Sequence, residues 1–308
     1  MKKYYSKFLV VVVGPTAVGK TGLCLRIAQN LGCEIISSDA RQVYQKMNIG
    51  TAKPTLEEQQ AVRHHMIDVV PLERSYHASA FAEDSLRIME DLWKKSSTVI
   101  MTGGSGLYIQ SVCKGLSDMP DIDPSLRNLL ISQLKREGLA PLLEKLKSED
   151  PLYYQEVDRN NPRRVLHALE VSLSGQYPYS YYRKQSLPKR PFNIIKIGLY
   201  REREVLKKRI ATRIEQMLEE GLVEEVRSLM PYQSYASLAT IGYQELFSFL
   251  QGEITLEKAI QNITTHTNQY AKRQMTWFRR DPAIQWFHPD EEEKIINYLT
   301  KRLEAFYS

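Results

Sequence analysis

Cysteine is scarce and unpatterned in this chain. Its three cysteines, Cys24, Cys33 and Cys113, show no CxxC spacing and sit in apolar or strand-adjacent surroundings. That excludes a disulfide-stapled scaffold and a cysteine-built zinc site, and predicts buried thiols in the reducing environment of the cytoplasm. Long apolar runs are also missing: the run over 8–13, behind a Met-Lys-Lys-Tyr-Tyr start, is too short for a signal core or a membrane span. It reads as a core strand. Neither charge sign dominates, since 42 Lys and Arg face 36 Asp and Glu, a net of +6. A polyanionic partner must therefore be argued from where the charges fall. No internal repeat or low-complexity segment is present, and 308 residues at 43% hydrophobic content suffice for one large domain with a smaller one appended.

What the chain does have is Gly14-Pro15-Thr16-Ala17-Val18-Gly19-Lys20-Thr21, directly after that strand. The run matches GxxxxGK[ST], in which successive backbone N–H groups face a phosphate, Lys20 adds charge and Thr21 offers a hydroxyl for Mg²⁺. A phosphate-bearing substrate is the expectation, with a merely structural glycine loop as the alternative.

Residues 8–13 read as a first parallel strand and 21–30 as the helix after the loop. A second strand over 34–37 ends at Ser38-Asp39, placing a carboxylate at the carboxyl edge of the sheet, where such folds bind ligands. A helix is expected from Thr55, a short apolar segment at Met66-Ile67-Asp68-Val69, helical periodicity over 76–95 and a strand over 98–102 stopped by Gly103-Gly104. This alternation predicts an α/β fold with a P-loop NTPase-like parallel sheet flanked by helices. Residues 124–173 read as helices punctuated by Gly138, Pro141, Pro151 and Pro162, hence a smaller helical insertion domain. The basic, tyrosine-rich stretch 175–191 is either a mobile connection or a set of aromatics packed on the insertion. A final strand is expected over 194–200, helices over 203–220, 222–229, 242–250 and 256–278, and a terminal amphipathic helix over 290–307, packed on the surface with no membrane attachment. The expected division is a core first part over 1–120, the insertion with its connection over 121–190, and a core second part over 191–308.

Asp39 is the candidate general base: a strand-end carboxylate near the phosphate loop can take a proton from an incoming nucleophile or help position Mg²⁺. Capping the following turn is its plainer role. Gln42 and Tyr44 offer an amide and a ring suited to a base edge or face, or to local packing. Asp68 resembles another strand-end carboxylate. Adjacent His64 and His65 are not aimed at one metal, so structural hydrogen bonding is expected of them. Gly103-Gly104-Ser105-Gly106 lets backbone approach a ligand while Ser105 supplies a hydroxyl. No Asp ends the run 98–101, which weakens an ATPase or GTPase reading. Arg209 and Arg213, four apart on one helical face, either clamp a diphosphate or form a solvated charged face. Over 269–280 aromatics alternate with basic groups, so that Lys272 and Arg273 could pair phosphates while Trp277 and Phe278 anchor the core. In the insertion, Arg163, Arg164 and Arg127 could grip a nucleic-acid backbone.

From the phosphate loop to Arg280 the chain resembles the bacterial tRNA dimethylallyltransferases, also called isopentenyl-tRNA transferases. The resemblance is carried by 14–21, Ser38-Asp39 with Gln42-Val43-Tyr44, Asn48-Ile49-Gly50-Thr51-Ala52-Lys53-Pro54, His65 with Asp68 and Pro71, Gly103 to Tyr108, Arg164 with Ala168-Leu169-Glu170-Val171, Ile241-Gly242-Tyr243, and 269–279. It implies transfer of a dimethylallyl group from its diphosphate to N6 of adenosine 37, in the tRNA anticodon stem-loop, with Mg²⁺ held at Thr21. It further implies Asp39 as base, the loop with Arg209 or Arg213 on the diphosphate, and Ser105 near both reactants. Contacts to tRNA are implied for Asp39, Ala40, Arg41, Gln42, Ser105, Arg127, Arg163, Arg164, Val165, Leu166, His167, Lys272 and Arg273, in a monomer. This chain has Ala40 where the family commonly has Ser, Ser105 for Thr, and His167 and Asn268 for Arg. Two other classes compete: an ATP-dependent kinase of a small metabolite, which needs no RNA-binding insertion, and a non-catalytic RNA-binding protein, which leaves Lys20 and Asp39 without purpose.

Overall fold

The computed structural model describes residues 7–185, 187 and 189–305. At the centre of its sheet lies β1 (Phe8–Val13), whose six side chains are all buried. A continuous β-branched run of this kind suits a parallel strand covered on both faces. Five further strands complete the sheet: β2 (Ile35–Ser37), β3 (His64–His65), β4 (Thr98–Gly103), β5 (Asn193–Leu199) and β6 (Ile284–Phe287). Their spatial order is β3-β2-β4-β1-β5-β6 and every pairing is parallel, with Val13 opposite Gly103 on one side and Gly198 on the other. All six carboxyl ends therefore open on one edge, where an open α/β sheet places its ligands.

The helices of this unit are α1 (Lys20–Leu31), α2 (Leu56–Ala61), α3 (Ala78–Leu92) and α4 (Gly106–Lys114). Thr55 starts α2 through a capping box with Glu58. The insertion supplies α5 (Pro124–Glu137), α6 (Ala140–Glu149), α7 (Pro151–Glu156), α8 (Pro162–Ser174) and α9 (Tyr179–Arg183). After β5 come α10 (Arg203–Glu219), α11 (Leu222–Ser228), α12 (Tyr243–Leu250) and α13 (Leu256–Phe278), and α14 (Glu292–Glu304) closes the chain. Ile295 and Leu299 of α14 are buried in the same core as Phe8, Val10 and Ile27. Residues 306 and 307, expected at the end of this helix, lie outside the described residues. Among the described residues no helix is long and apolar enough to cross a membrane.

Two compact units result, one from residues up to Cys113 together with those from Arg190 onward, the other Lys114–Lys189. The second has its own core of Leu130, Leu142, Leu146, Val165, Ala168 and Leu169, all fully buried. Its punctuating prolines stand in the first turns of α5 to α8, where a missing N–H costs nothing, and Asp123, Asp150 and Asn161 cap three of these helices. Asp150 is fully buried, accepting from Tyr153 N–H at 3.0 Å and Ser180 N–H at 2.7 Å.

Three local expectations change. Asp68, read as a strand-end carboxylate, lies beyond the short strand His64–His65, because Met66 and Asp68 take φ of 65° and 56°, which ends a ladder. β6 follows β5 as a sixth strand that no periodicity announces. In 175–191 a short helix forms and Tyr179 packs edge-on to Tyr153 at 4.7 Å, while Tyr177 and Tyr181 stack on each other and stay about half exposed; Ser186 and Pro188 are outside the described residues. All three cysteines are buried. Burial pushes Cys24 up to about 11 and Cys33 to about 12, so neither thiol is a nucleophile at neutral pH.

Candidate active site

β1 hands the chain to the loop 14–21, and α1 begins at Lys20 with no side-chain cap and no acidic residue in its first turn. An uncapped helix start presents unpaired N–H groups and the positive end of the helix dipole, the combination that binds phosphate oxygens. The Lys20 ammonium donates to the carbonyls of Gly14 at 2.9 Å and Pro15 at 2.8 Å. Burial holds it well below its ordinary range, at about 8; the charge of Arg213 adds to the depression and that of Asp39 opposes it. Asp39 and Lys20 are thus electrostatic neighbours.

Asp39 follows β2. Its Oδ1 accepts from the N–H of Arg41 at 2.8 Å and of Gln42 at 3.4 Å, so it does cap the following turn. Among the described residues Oδ2 has no hydrogen-bond partner. Beside it the ends of β2 and β4 press together: a Cβ at Gly103 would lie 2.3 Å from the Ser38 carbonyl oxygen. Ser105 N–H donates to that same oxygen at 3.2 Å, and Ser105 Oγ accepts from Ala40 N–H at 2.8 Å. The backbone N–H of Ala40 thereby ties the Asp39 turn to the glycine-rich turn.

Arg209 Nε donates to the Ala17 carbonyl at 2.8 Å, and an Arg213 NH group reaches Thr16 Oγ1 at 3.5 Å. Both arginines of α10 therefore meet the phosphate loop. Burial and the Arg209 charge depress the Arg213 guanidinium from its ordinary range. Three participants had no sequence assignment. Arg201, just beyond β5, donates Nε to the Val18 carbonyl at 3.1 Å and pairs with Asp290 at 2.8 Å. The edge rule that singled out Asp39 applies to it equally. Gln274 of α13 accepts from Thr16 N–H at 2.8 Å, and the Tyr270 phenol is pushed up to about 12 by burial and then by Asp39.

Several expected RNA contacts are occupied otherwise. Gln42 is spent on structure: Oε1 accepts from Ser37 at 2.8 Å and Nε2 donates to the carbonyls of Thr51 and Ala52. Tyr44 is buried. Arg41 donates to the Ser237 carbonyl at 3.0 Å. In the insertion Arg127 forms a two-pronged pair with buried Glu170 at 2.8 and 2.9 Å, and His167 stands 3.8 Å from the same carboxylate. Val165 is fully buried and Leu166 packs on that core, so their side chains are packing contacts, whereas Arg163 and Arg164 are exposed. On α13 Lys272 and Arg273 are exposed, and the Arg273 guanidinium lies 5.9 Å from the Tyr270 ring centre. Phe278 is buried as expected, but Trp277 is 40% exposed. His64 Nδ1 bonds the Val62 carbonyl and His65 Nε2 bonds Glu34, both structural contacts. Asp68 pairs with Lys53.

Comparison with known proteins converges on one family. The model of the IPP transferases matches residues 42–281, so the phosphate loop and Asp39 precede its first matched position. The tRNA dimethylallyltransferase 2 of Parabacteroides distasonis is 48% identical over 295 residues, which covers 96% of this chain and 99% of that protein. The crystal structure of the full-length tRNA isopentenylpyrophosphate transferase of Bacillus halodurans superposes with a TM-score of 0.72 at 35% identity, covering 97% of both chains. A eukaryotic dimethylallyltransferase acting on tRNA gives 0.75 at 28% identity over 88% of this chain and 70% of that one.

Proposed function

The chain belongs to the IPP transferases, the tRNA dimethylallyltransferase family, and from that premise we propose how its own residues divide the reaction. It transfers the dimethylallyl group of dimethylallyl diphosphate to N6 of adenosine 37 in tRNA, releasing diphosphate. N6 is a weak nucleophile because its lone pair is delocalised into the ring. The new N–C bond forms as the allylic C–O bond breaks, and the N6 proton must leave. Asp39 Oδ2 accepts that proton, while Oδ1, pinned by two backbone N–H groups, keeps the carboxylate aimed. Lys20, the N–H groups at the start of α1 and the arginines of α10 take up the charge that develops on the departing diphosphate. The observation that carries this reading is the placement of a half-satisfied carboxylate within the field of the phosphate-loop lysine.

Mg²⁺ fits this donor set in one way. Among the described residues no cluster of three or more His, Cys, Asp or Glu could cage a cation. A small hard ion that takes most of its oxygens from diphosphate and water needs only the Thr21 hydroxyl from the protein. When bound, it neutralises diphosphate charge and eases leaving-group departure.

Adenosine 37 has to leave the stack of the anticodon loop to expose N6, an unstacking cost that backbone contacts from exposed Arg163, Arg164, Lys272 and Arg273 offset. The deciding experiment is single-turnover transfer by Asp39→Asn, which keeps size and hydrogen bonding but removes basicity. A loss of roughly 10²–10⁴-fold with unchanged tRNA affinity is expected. A near-wild-type rate across pH removes Asp39 as the base, and transfer that requires ATP and not dimethylallyl diphosphate removes the donor.

A further inference from the structure

We infer that Gln274 is a positioning residue for the diphosphate, fastening the phosphate loop to the glycine-rich turn from the helix that also presents Lys272 and Arg273; this rests on the loop 14–21 being the diphosphate site. Gln274 is 5% exposed. Its Oε1 accepts from Thr16 N–H at 2.8 Å and its Nε2 donates to the Gly104 carbonyl at 3.1 Å, partners 258 and 170 residues away in sequence. The two bonds determine the amide's orientation, because exchanging its ends would set donor against donor and acceptor against acceptor.

The approach is close enough to dictate the residue on the other side. A Cβ at Gly104 would stand 2.1 Å from Gln274 Nε2, so only glycine admits the bond. A buried amide satisfied at both ends resists displacement, since breaking either bond strands a polar group away from water. Neighbouring turns of α13 seat on the same structure: the Tyr270 phenol feels the Asp39 charge, and a Cβ at Gly106 would stand 2.2 Å from the Trp277 indole nitrogen. Gln274 engages the N–H of Thr16, in the first half of the loop. The second half, where α1 begins without a cap, is thereby held in register for the anion.

Charge at this position should matter as much as shape. A carboxylic acid at 274 reproduces both bonds when protonated. Once ionised, it sets one oxygen against the Gly104 carbonyl and brings a negative charge beside the diphosphate. A merely structural role would carry KM for both substrates and the melting temperature along with that titration, whereas a positioning role moves KM for the diphosphate alone.

The test is steady-state transfer with tRNA and dimethylallyl diphosphate for wild type, Gln274→Met, Gln274→Glu and Lys20→Ala, from mildly acidic to mildly alkaline pH. Gln274→Met should raise KM for dimethylallyl diphosphate about tenfold and leave KM for tRNA unchanged. Gln274→Glu should match wild type at the acidic end and lose diphosphate affinity relative to it as pH rises. The inference is overturned if both Gln274 variants keep wild-type KM for the diphosphate at every pH. It is also overturned if KM for both substrates rises together with a lowered melting temperature. If Gln274→Met does not fold, Gln274→Glu still decides, by whether its KM for the diphosphate departs from wild type as pH rises. An effect of Lys20→Ala without any from Gln274 defeats this inference alone; no effect of Lys20→Ala defeats the loop assignment and the inference with it.

Discussion

Lys20 shows how one residue carries opposing demands. The chain buries its ammonium on two carbonyl oxygens beside Arg213, and the pKa falls from 10.5 to about 8. Because the folded value lies below the unfolded one, the unfolded chain binds more protons between those two pH values. The penalty on stability is therefore complete below about pH 8 and is relieved as pH rises toward 10.5. A bound diphosphate reverses the balance, since an anion favours the ammonium. Binding of dimethylallyl diphosphate near pH 8 should therefore take up a fraction of a proton. Calorimetry in two buffers of different ionisation enthalpy would show it, and Lys20→Met should abolish it; equal heats in both buffers for wild type would mean that Lys20 is already fully charged before binding.

At the scale of elements, α11 and α12 hold the segment that follows the Asp39 turn. Glu225 of α11 accepts from the N–H groups of Asn48, Ile49 and Gly50 at 2.9, 2.8 and 3.1 Å, and from the Tyr243 hydroxyl of α12 at 2.7 Å. Burial and this carboxylate hold the Tyr243 phenol far above its ordinary range. The same segment offers the carbonyls of Thr51 and Ala52 to Gln42, whose own N–H helps hold Asp39. Removing the hydroxyl with Tyr243→Phe should cost about 1.5–3 kcal/mol, the range for a hydrogen bond to a charged acceptor. Urea unfolding checks it: a lower midpoint at unchanged slope is expected, with the single-turnover rate far less affected than by Asp39→Asn. The motifs at 48–54 and 241–243 were legible as signatures, but nothing local says that they meet through Glu225.

Over the whole molecule, a net charge of +6 becomes useful only where it is exposed. Arg127 is committed to Glu170 and Arg201 to Asp290, whereas Arg163, Arg164, Lys272 and Arg273 stand in solvent on their respective units. Each cation that neutralises an RNA phosphate steepens the salt dependence of binding by roughly 0.7–0.9 in log–log slope. Replacing these four by Gln should weaken tRNA binding and flatten its slope by about 3 if all four meet phosphates. An unchanged affinity and slope would place the RNA on other residues.

The sequence by itself determined what is contiguous along the chain. β1 and its phosphate loop, the long periodic α13 and the carboxylate at the end of β2 each depend on neighbouring residues, and a strand-end rule or a helical period finds them. The tertiary structure alone decided partners and availability. β6, only Ile284–Phe287, becomes a strand because β5 offers it a ladder, and no periodicity in four residues can announce that. Gln42, which reads as a base-contacting amide, is consumed by three bonds within the fold. Gln274 reads as one residue of a basic helix, yet it joins two loops far from it in sequence. Hydrogen-bond donors and acceptors are interchangeable in a sequence; which of them are spent, and which remain for a substrate, is settled only when distant segments close on one another.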